Sequence, residues 1–415
     1  MTLTVGVVGC AHGELEIIYD TVKKLKQERN VDLDLLICCG DFQSVRDERD
    51  LTSMAVPAKY RRMNTFRKYY TGELQAPVLT LFVGGNHEAS NYLWQLPHGG
   101  WVAPGIYFMG QANVLNFGGL RIGGLSGIYK SYSYLRGHFE KPPFDEEEKR
   151  SVYHIRSLEV LRLKQLNKPL DVFVSHDWPR GIDRFGDRQR LFAFKQHFVE
   201  EAENGELGSL PGFELLRMLK PKYWFAAHMH AKFAALVPHE DGSVTRFLAL
   251  DKCLPRRQYF QVLELQTSFS TSERQLCYDP EWLAILRKTD HLLSISSERT
   301  LLSNIDSNDP FAFSASAEDI KVVEEIFDNN FLVPSNLSAD RAGDDSNVEL
   351  NPQTIDFSSK LGIRNLPALL LSNTASDSTA NESAAAPAEE FVDEAPLATT
   401  TEAIVPAEEI CLDDI

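Results

Sequence analysis

The chain has 415 residues, 43% of them hydrophobic, and carries 59 acidic against 42 basic side chains, a formal net charge of −17. Spread evenly, that charge would argue against a nucleic-acid substrate, but residues 301–415 alone hold 23 acids and four bases (Lys321, Arg341, Lys360, Arg364), which leaves the first 300 residues at +2. The six scattered cysteines form no CxxC pair or disulfide framework, and no run of about 18 apolar residues is present to cross a membrane, so a soluble, intracellular protein without membrane association is expected.

In chain order, residues 3–9 (LTVGVVG) read as a strand ending in Gly9, and 15–28 as a helix with Leu15, Ile18, Val22 and Leu25 at helical spacing. A second β-run, 33–40 (LDLLICCG), and a third, 78–85 (VLTLFVGG), flank a basic segment, 57–71, whose pattern is compatible with a helix. Three short, Gly-punctuated runs follow at 105–110, 112–119 and 120–127, of the kind that pair as antiparallel neighbours. Residues 151–166 read as an amphipathic helix, 170–175 and 222–227 as buried strands, 231–250 as a hairpin turning at Asp241-Gly242, and 258–265 as the last strand. Helices alternating with parallel-type strands, followed by hairpins, predict an α/β fold: a layered αββα sandwich with mixed sheets.

The catalytic domain is placed at 1–250, including an insertion at 126–156, with a C-terminal extension at 251–300 packed on it. From about Ser303 the chain is rich in Ser, Ala, Asn, Asp and Glu, so 301–415 is expected to be a mostly disordered acidic tail, a candidate surface for protein partners. Within it, IKVVEEIFDNNFLVP (320–334) is a candidate short helix or docking motif.

Five strands end in side chains that bind metal or move protons: GCAHG (9–13), CGDF (39–42), GGNHE (84–88), VSHDWP (174–179) and AAHMHAKF (226–233). In open α/β sheets the carboxyl ends of neighbouring strands face one crevice, so these residues are expected to converge. Two cations about 4 Å apart need a bridging carboxylate, several imidazoles and room for a water. Asp41 is the candidate bridge. Asn86, His176 and His228 suit one ion, and His12 and His230, with Cys10, the other. Alone, Cys10 reads more readily as a small buried hydrophobe than as a ligand. Nitrogen and oxygen ligands with one thiolate suit Zn²⁺, Fe²⁺ or Mn²⁺ better than Mg²⁺ or Ca²⁺. His87, next to Asn86, reads as the general acid for a leaving oxygen, or as a partner that orients a ligand.

These blocks resemble the calcineurin-like metallophosphoesterases, whose signature runs D-x-H, G-D, G-N-H-[ED], an H after a strand, and G-H-x-H. The chain departs twice, with Cys10 in the first Asp position and Ala227 before His228. Together with GNHEASN (85–91), SHDWPRGI (175–182), HMHAKFAA (228–235) and LDKCLPRRQY (250–259), that cysteine is similar to the branch that debranches RNA lariats, over roughly residues 1–295. The resemblance implies the metallophosphoesterase fold and hydrolysis of the 2′–5′ phosphodiester at the branch point of excised intron lariat RNA, in the nucleus. By position it implies Cys10, His12, Asp41 and His230 at one metal half-site, Asp41, Asn86, His176 and His228 at the other, and His87 as the acid. The insertion would then be the loop that recognises the lariat. Its Tyr129, Lys130, Tyr132, Tyr134, Arg136, His138 and Phe139 are candidate RNA contacts, since aromatic faces stack unpaired bases and cations hold phosphates; the alternative is a surface loop with its tyrosines packed on the sheet. Competing readings are another metallophosphoesterase, a nuclease or phosphatase, and a non-catalytic scaffold of the same fold. The full ligand set speaks against the scaffold.

Overall fold

The computed structural model describes residues 2–267, 273–302, 311–337 and 350–373. The strands are β1 (Thr2–Val8), β2 (Leu35–Cys38), β3 (Thr80–Phe82), β4 (Gly100–Ala103), β5 (Ile106–Phe108), β6 (Ala112–Phe117) and β7 (Leu120–Leu125). They continue as β8 (Val172–Ser175), β9 (Tyr223–Ala226), β10 (Phe233–Pro238), β11 (Val244–Ala249), β12 (Phe260–Gln266) and β13 (Leu276–Tyr278). Two mixed sheets result, in the orders β12-β1-β2-β3-β5-β4 and β10-β11-β9-β8-β7-β6-β13. The central pairs β1/β2, β2/β3, β7/β8 and β8/β9 are parallel, and the hairpins lie toward the edges.

Period-2 alternation sends residues to both faces of each sheet. Leu3, Val5, Val7, Leu35, Ile37 and Leu81 of the first sheet meet Ile122, Val172, Val174, Phe225 and Leu248 of the second in one core between the sheets. The outer face of the first sheet (Val8, Leu36, Cys38, Phe82) is covered by the helix Leu15–Arg29 through Leu15, Ile18, Tyr19 and Val22. The outer face of the second (Leu125, Phe173, Trp224, Phe247) packs on the helices Ser157–Lys164, Leu210–Leu219 and Pro280–Lys288. This is the αββα layering expected from the sequence.

Two elements differ from expectation. The segment 57–71 is helical only in two short pieces, a 3₁₀ turn at Ala58–Tyr60 and an α-helix at Phe66–Tyr70, because between them Asn64 adopts φ +44° and donates its side-chain amide to the His12 carbonyl at 2.7 Å. The helix expected over 151–166 runs only from Ser157 to Lys164. His154 is drawn off into a bridge with Ile128, and the Arg156 guanidinium turns back to Glu140.

The expected disordered tail needs correction over 311–337 and 350–373. Ala317–Ile326 is a helix with a capping box from Ser316 and Asp319, Leu332 bridges to Cys277 in β13, and Pro352–Leu361 and Leu366–Ser372 are two further helices. Val323, Phe327, Val333, Leu361, Leu366 and Leu370 are buried. Polar residues that made this stretch look unstructured act as helix caps: the side chain of Ser316 accepts from Asp319 N–H, Asn351 from Gln353 N–H and Asn365 from Ala368 N–H. Gln353 binds both backbone groups of Trp101, so the chain beyond residue 300 folds back onto the catalytic domain. The rest of the expected tail, 303–310, 338–349 and 374–415, lies outside the described residues.

Candidate active site

The carboxyl ends of β1, β2 and β3 in one sheet and of β8 and β9 in the other open onto the same edge of the sandwich. Each strand ends one to four residues before a candidate ligand. The turns that follow are tight: His12, Asp41, His228 and His230 all adopt positive φ, from 47° to 61°, as does Gln43 at 58°. Such backbone costs about 1–3 kcal/mol per residue and is held only where its surroundings impose it. Two glycines allow the approach. A Cβ on Gly40 would stand 2.2 Å from His176 Nδ1, and one on Gly85 2.1 Å from Asp41 Oδ1.

Asp41, 1% exposed, is the centre of the cluster. Its Oδ2 lies 3.8 Å from His12 Nε2, while Oδ1 lies 3.3 Å from His176 Nε2 and accepts the His87 N–H at 2.9 Å. The two carboxylate oxygens therefore serve opposite halves of the site. On one side His12 Nε2 is 3.3 Å from His230 Nε2, and the donor atoms of Cys10, His12, Asp41 and His230 all fall within 4.8 Å of one another. Donors held around one ion at about 2.0–2.3 Å each stand roughly 3–4.5 Å apart, so these four residues fit a divalent metal. On the other side His176 Nε2 is 3.2 Å from Asn86 Oδ1, and the His176 and His228 rings are 4.9 Å apart. His176 Nδ1 donates to the Cys39 carbonyl at 2.8 Å, so Nε2, beside Asp41 and Asn86, is the ring atom that would ligate a metal.

The electrostatics suit ligation. Burial, countered in part by Asp41, pushes the imidazoles of His12, His228 and His230 down to about 4, 3 and 2, so all three are neutral at pH 7. Burial alone would raise the Asp41 carboxyl, yet His176, His87, His12 and the His87 N–H hold it well below the carboxylate range. Burial and then Asp41 push the Cys10 thiol well up, against the His228 N–H that its sulfur accepts at 3.2 Å. A cation held in the cluster would reverse that balance and favour the thiolate.

A supporting layer went unassigned in the sequence. Glu88 accepts N–H groups from Phe42 and Gln43 at 2.8 Å and from Gly85 at 2.9 Å, tying the Asp41 turn to the Asn86 turn. The Gln43 amide lies 3.2 Å from His12 Nδ1, and Asp177 accepts the Tyr129 N–H at 3.0 Å. Glu88 and Asp177 stand beside ligands in the quoted motifs, which is a usable signal; Gln43 and Asn64 had none.

The insertion begins at that Asp177 bond. Tyr132 is 56% exposed beside the His154 ring. Tyr129 and Tyr134 pack on each other at 5.5 Å and against the core behind the second sheet, the arrangement of the alternative reading, while Arg180 lies over the outer Tyr129 ring at 5.8 Å. Lys130, Arg136 and Phe139 are half-buried. His138 is a correction. It is buried, with Nδ1 3.2 Å from the Gln111 amide and Nε2 3.1 Å from Glu159, so both ring nitrogens are held inside the protein and do not face RNA.

Comparison with known proteins agrees with this geometry. Residues 3–232 match the model of the calcineurin-like phosphoesterases, and residues 242–366 that of the C-terminal domain of lariat debranching enzymes. The chain is 48% identical over 380 residues to the human lariat debranching enzyme, covering 87% of this chain and 69% of that protein. It is 47% identical over 379 residues to lariat debranching enzyme A of Xenopus laevis (88% and 71% covered) and 45% over 378 to the lariat debranching enzyme of Arabidopsis thaliana (87% and 86%). The chain belongs to the lariat debranching enzymes. The family's C-terminal domain runs from Gly242, in the turn before β11, to Leu366 and so takes in the helices at 317–326 and 352–361, which pack as part of the fold.

Proposed function

We infer that this chain hydrolyses the 2′–5′ phosphodiester at the branch point of excised intron lariat RNA, leaving a 2′-hydroxyl on the branch nucleotide and a 5′-phosphate on the released strand. The observation that carries this is the two-sided Asp41 carboxylate with a set of nitrogen, oxygen and sulfur donors around it, in a chain of this family. Cys10, His12, Asp41 and His230 would hold one divalent ion, and Asp41, Asn86, His176 and His228 the other. Bound there, the pair supplies a nucleophile from water at neutral pH and neutralises the charge on the phosphate oxygens. The Cys10 sulfur favours Zn²⁺, Fe²⁺ or Mn²⁺ over Mg²⁺.

The protein's own part is orientation and proton transfer. Glu88 fixes the two turns that carry Asp41 and Asn86, and the Cys39 carbonyl fixes the tautomer of His176. His87, whose Nδ1 is 3.8 Å from Asp41 Oδ2, reaches the rim of the cluster with a partly accessible ring. In this reading it delivers a proton to the departing 2′-oxygen while the water oxygen joins phosphorus. Residence in the nucleus follows from a substrate released by splicing, and the acidic segment 374–415 is the part of the chain suited to basic protein partners.

The test sets purified protein with Mn²⁺ or Fe²⁺ against a synthetic branched RNA and its linear 3′–5′ isomer. Branched RNA should be cleaved and the linear isomer left intact. Equal cleavage of both would favour a general nuclease, and cleavage of neither would sink the reading.

A further inference from the structure

On the flank of the ligand row opposite the insertion, two basic segments far apart in sequence meet around an exposed ring. The insertion leaves β7, beside β8, at one end of the row of ligand-bearing strands. At the other end lies the chain that joins β11 to β12: Lys252 forms a bridge with Cys10, and the Cys253 N–H donates to the Cys10 carbonyl at 2.9 Å. The helix Arg188–Phe194 stands on the same side, since Gly186, just before it, bridges Ala235 of β10. Segments 188–195 (RQRLFAFK) and 252–257 (KCLPRR) hold three basic side chains each and no acidic one.

Phe194 ends that helix with 57% of its surface exposed. The Arg257 guanidinium lies 5.7 Å and the Lys195 ammonium 5.4 Å from its ring centre. A lone exposed apolar side chain is ordinary, but an exposed ring between two cations is the arrangement that holds an unpaired nucleotide, with the base on the ring and the phosphates on the cations. Arg257 is anchored by Asp251 Oδ2 at 3.3 Å, and the Asp251 carbonyl abuts Gly9, where a Cβ would stand only 2.1 Å from it. The ring and its cations are thereby tied to the strand end that carries Cys10 and His12. The turn 254–257 adds a third cation. It is closed by the Arg257 N–H on the Leu254 carbonyl at 3.1 Å, with Pro255 second and Arg256 third at φ +67°. A third position of that kind ordinarily takes Gly or Asn; here it holds an exposed arginine.

We propose that Phe194, Lys195, Arg256 and Arg257 form a stacking platform for an unpaired nucleotide on a second arm of the branched RNA. The proposal rests on the debranching reading for its ligand. A branch joins three strands, and the insertion and this platform flank the metal ligands on opposite sides. One arm held on each flank seats the branch between them, and the second contact adds to the first as an intramolecular event.

The test measures affinity of the metal-loaded full chain for a branched RNA with a non-hydrolysable branch linkage, and for versions in which each arm in turn is cut back to a single nucleotide. For the parent chain, shortening the arm that reaches the platform should weaken binding about 5–150-fold, the worth of one stacked base. Phe194→Ala should lose the same factor on the full RNA, become indifferent to the length of that arm, and melt at the parent temperature. Phe194→Tyr should bind as the parent does. Arg256→Gln should lower the slope of log affinity against log salt by about 0.7. If Phe194→Ala binds every RNA as tightly as the parent, or loses affinity equally on all of them, the proposal is overturned. An unchanged salt slope for Arg256→Gln removes the phosphate contact and overturns it independently. Failure of the debranching reading shows separately, as equal cleavage of branched and linear RNA by the parent chain.

Discussion

Asp41 and His87 show how much chemistry two neighbouring turns can carry. The hydrogen bond between them runs from the His87 backbone N–H, not its ring, to Asp41 Oδ1 at 2.9 Å. Removing the imidazole therefore leaves the bridge in place. His87→Ala should keep its metal content by elemental analysis and lose about 10²–10⁴-fold in turnover on branched RNA, the usual range for a positioned acid. A rate equal to that of the parent chain would remove His87 as the acid. Cys10 is the complementary case. In a D-x-H pattern it reads as a missing carboxylate, yet its sulfur lies inside the donor cluster with His12, Asp41 and His230. At this scale the ligand types were legible because each follows a strand that ends in a recognisable apolar run. Gln43 and Asn64 were not, since their work is to hold the His12 ring and the His12 carbonyl, brought close only by folding.

At the scale of elements, the strands and the long first helix announced themselves through periodicity; the helix at 317–326 was read in part, as a candidate over 320–334, and those at 352–361 and 366–372 were not. Leu366 and Leu370 are spaced for one helix face, but they sit among Ser, Asn and Ala, where composition argues for disorder. In the fold they cover Trp94 and Phe144, joining the short helix after His87 to the far end of the insertion. Trp94 Nε1 also donates to the Glu140 carbonyl at 2.8 Å, so this patch braces the insertion from outside. Leu366 is 3% exposed. Leu366→Ala should cost about 2–5 kcal/mol in denaturant unfolding, the range for a buried Leu truncated in a packed site. An unchanged midpoint would show that the helix adds nothing to stability.

For the molecule as a whole, charge and fold divide at different places. The last described residue is Asn373, and beyond it the sequence holds eleven acidic and no basic side chains, so a chain ending there changes its net charge from −17 to −6. Such a chain keeps every described helix and loses long-range repulsion toward a polyanion. Its association rate with RNA should exceed that of the full chain at low ionic strength. The gap should close toward physiological salt, where the screening length falls to about 8 Å. Equal rates at all salt concentrations in stopped-flow would show that the acidic segment is electrostatically silent.

The sequence by itself determined the layered α/β class, the strand ends that carry the ligands, and the family, because apolar periodicity and short polar motifs are local properties of the chain. Only the tertiary structure decided that Asp41 faces two ways, that His138 is held inside by Gln111 and Glu159, and that the chain past residue 300 braces the insertion. Those outcomes depend on which surfaces meet between segments distant in the chain, and on which polar atoms find a partner once water has been excluded between them.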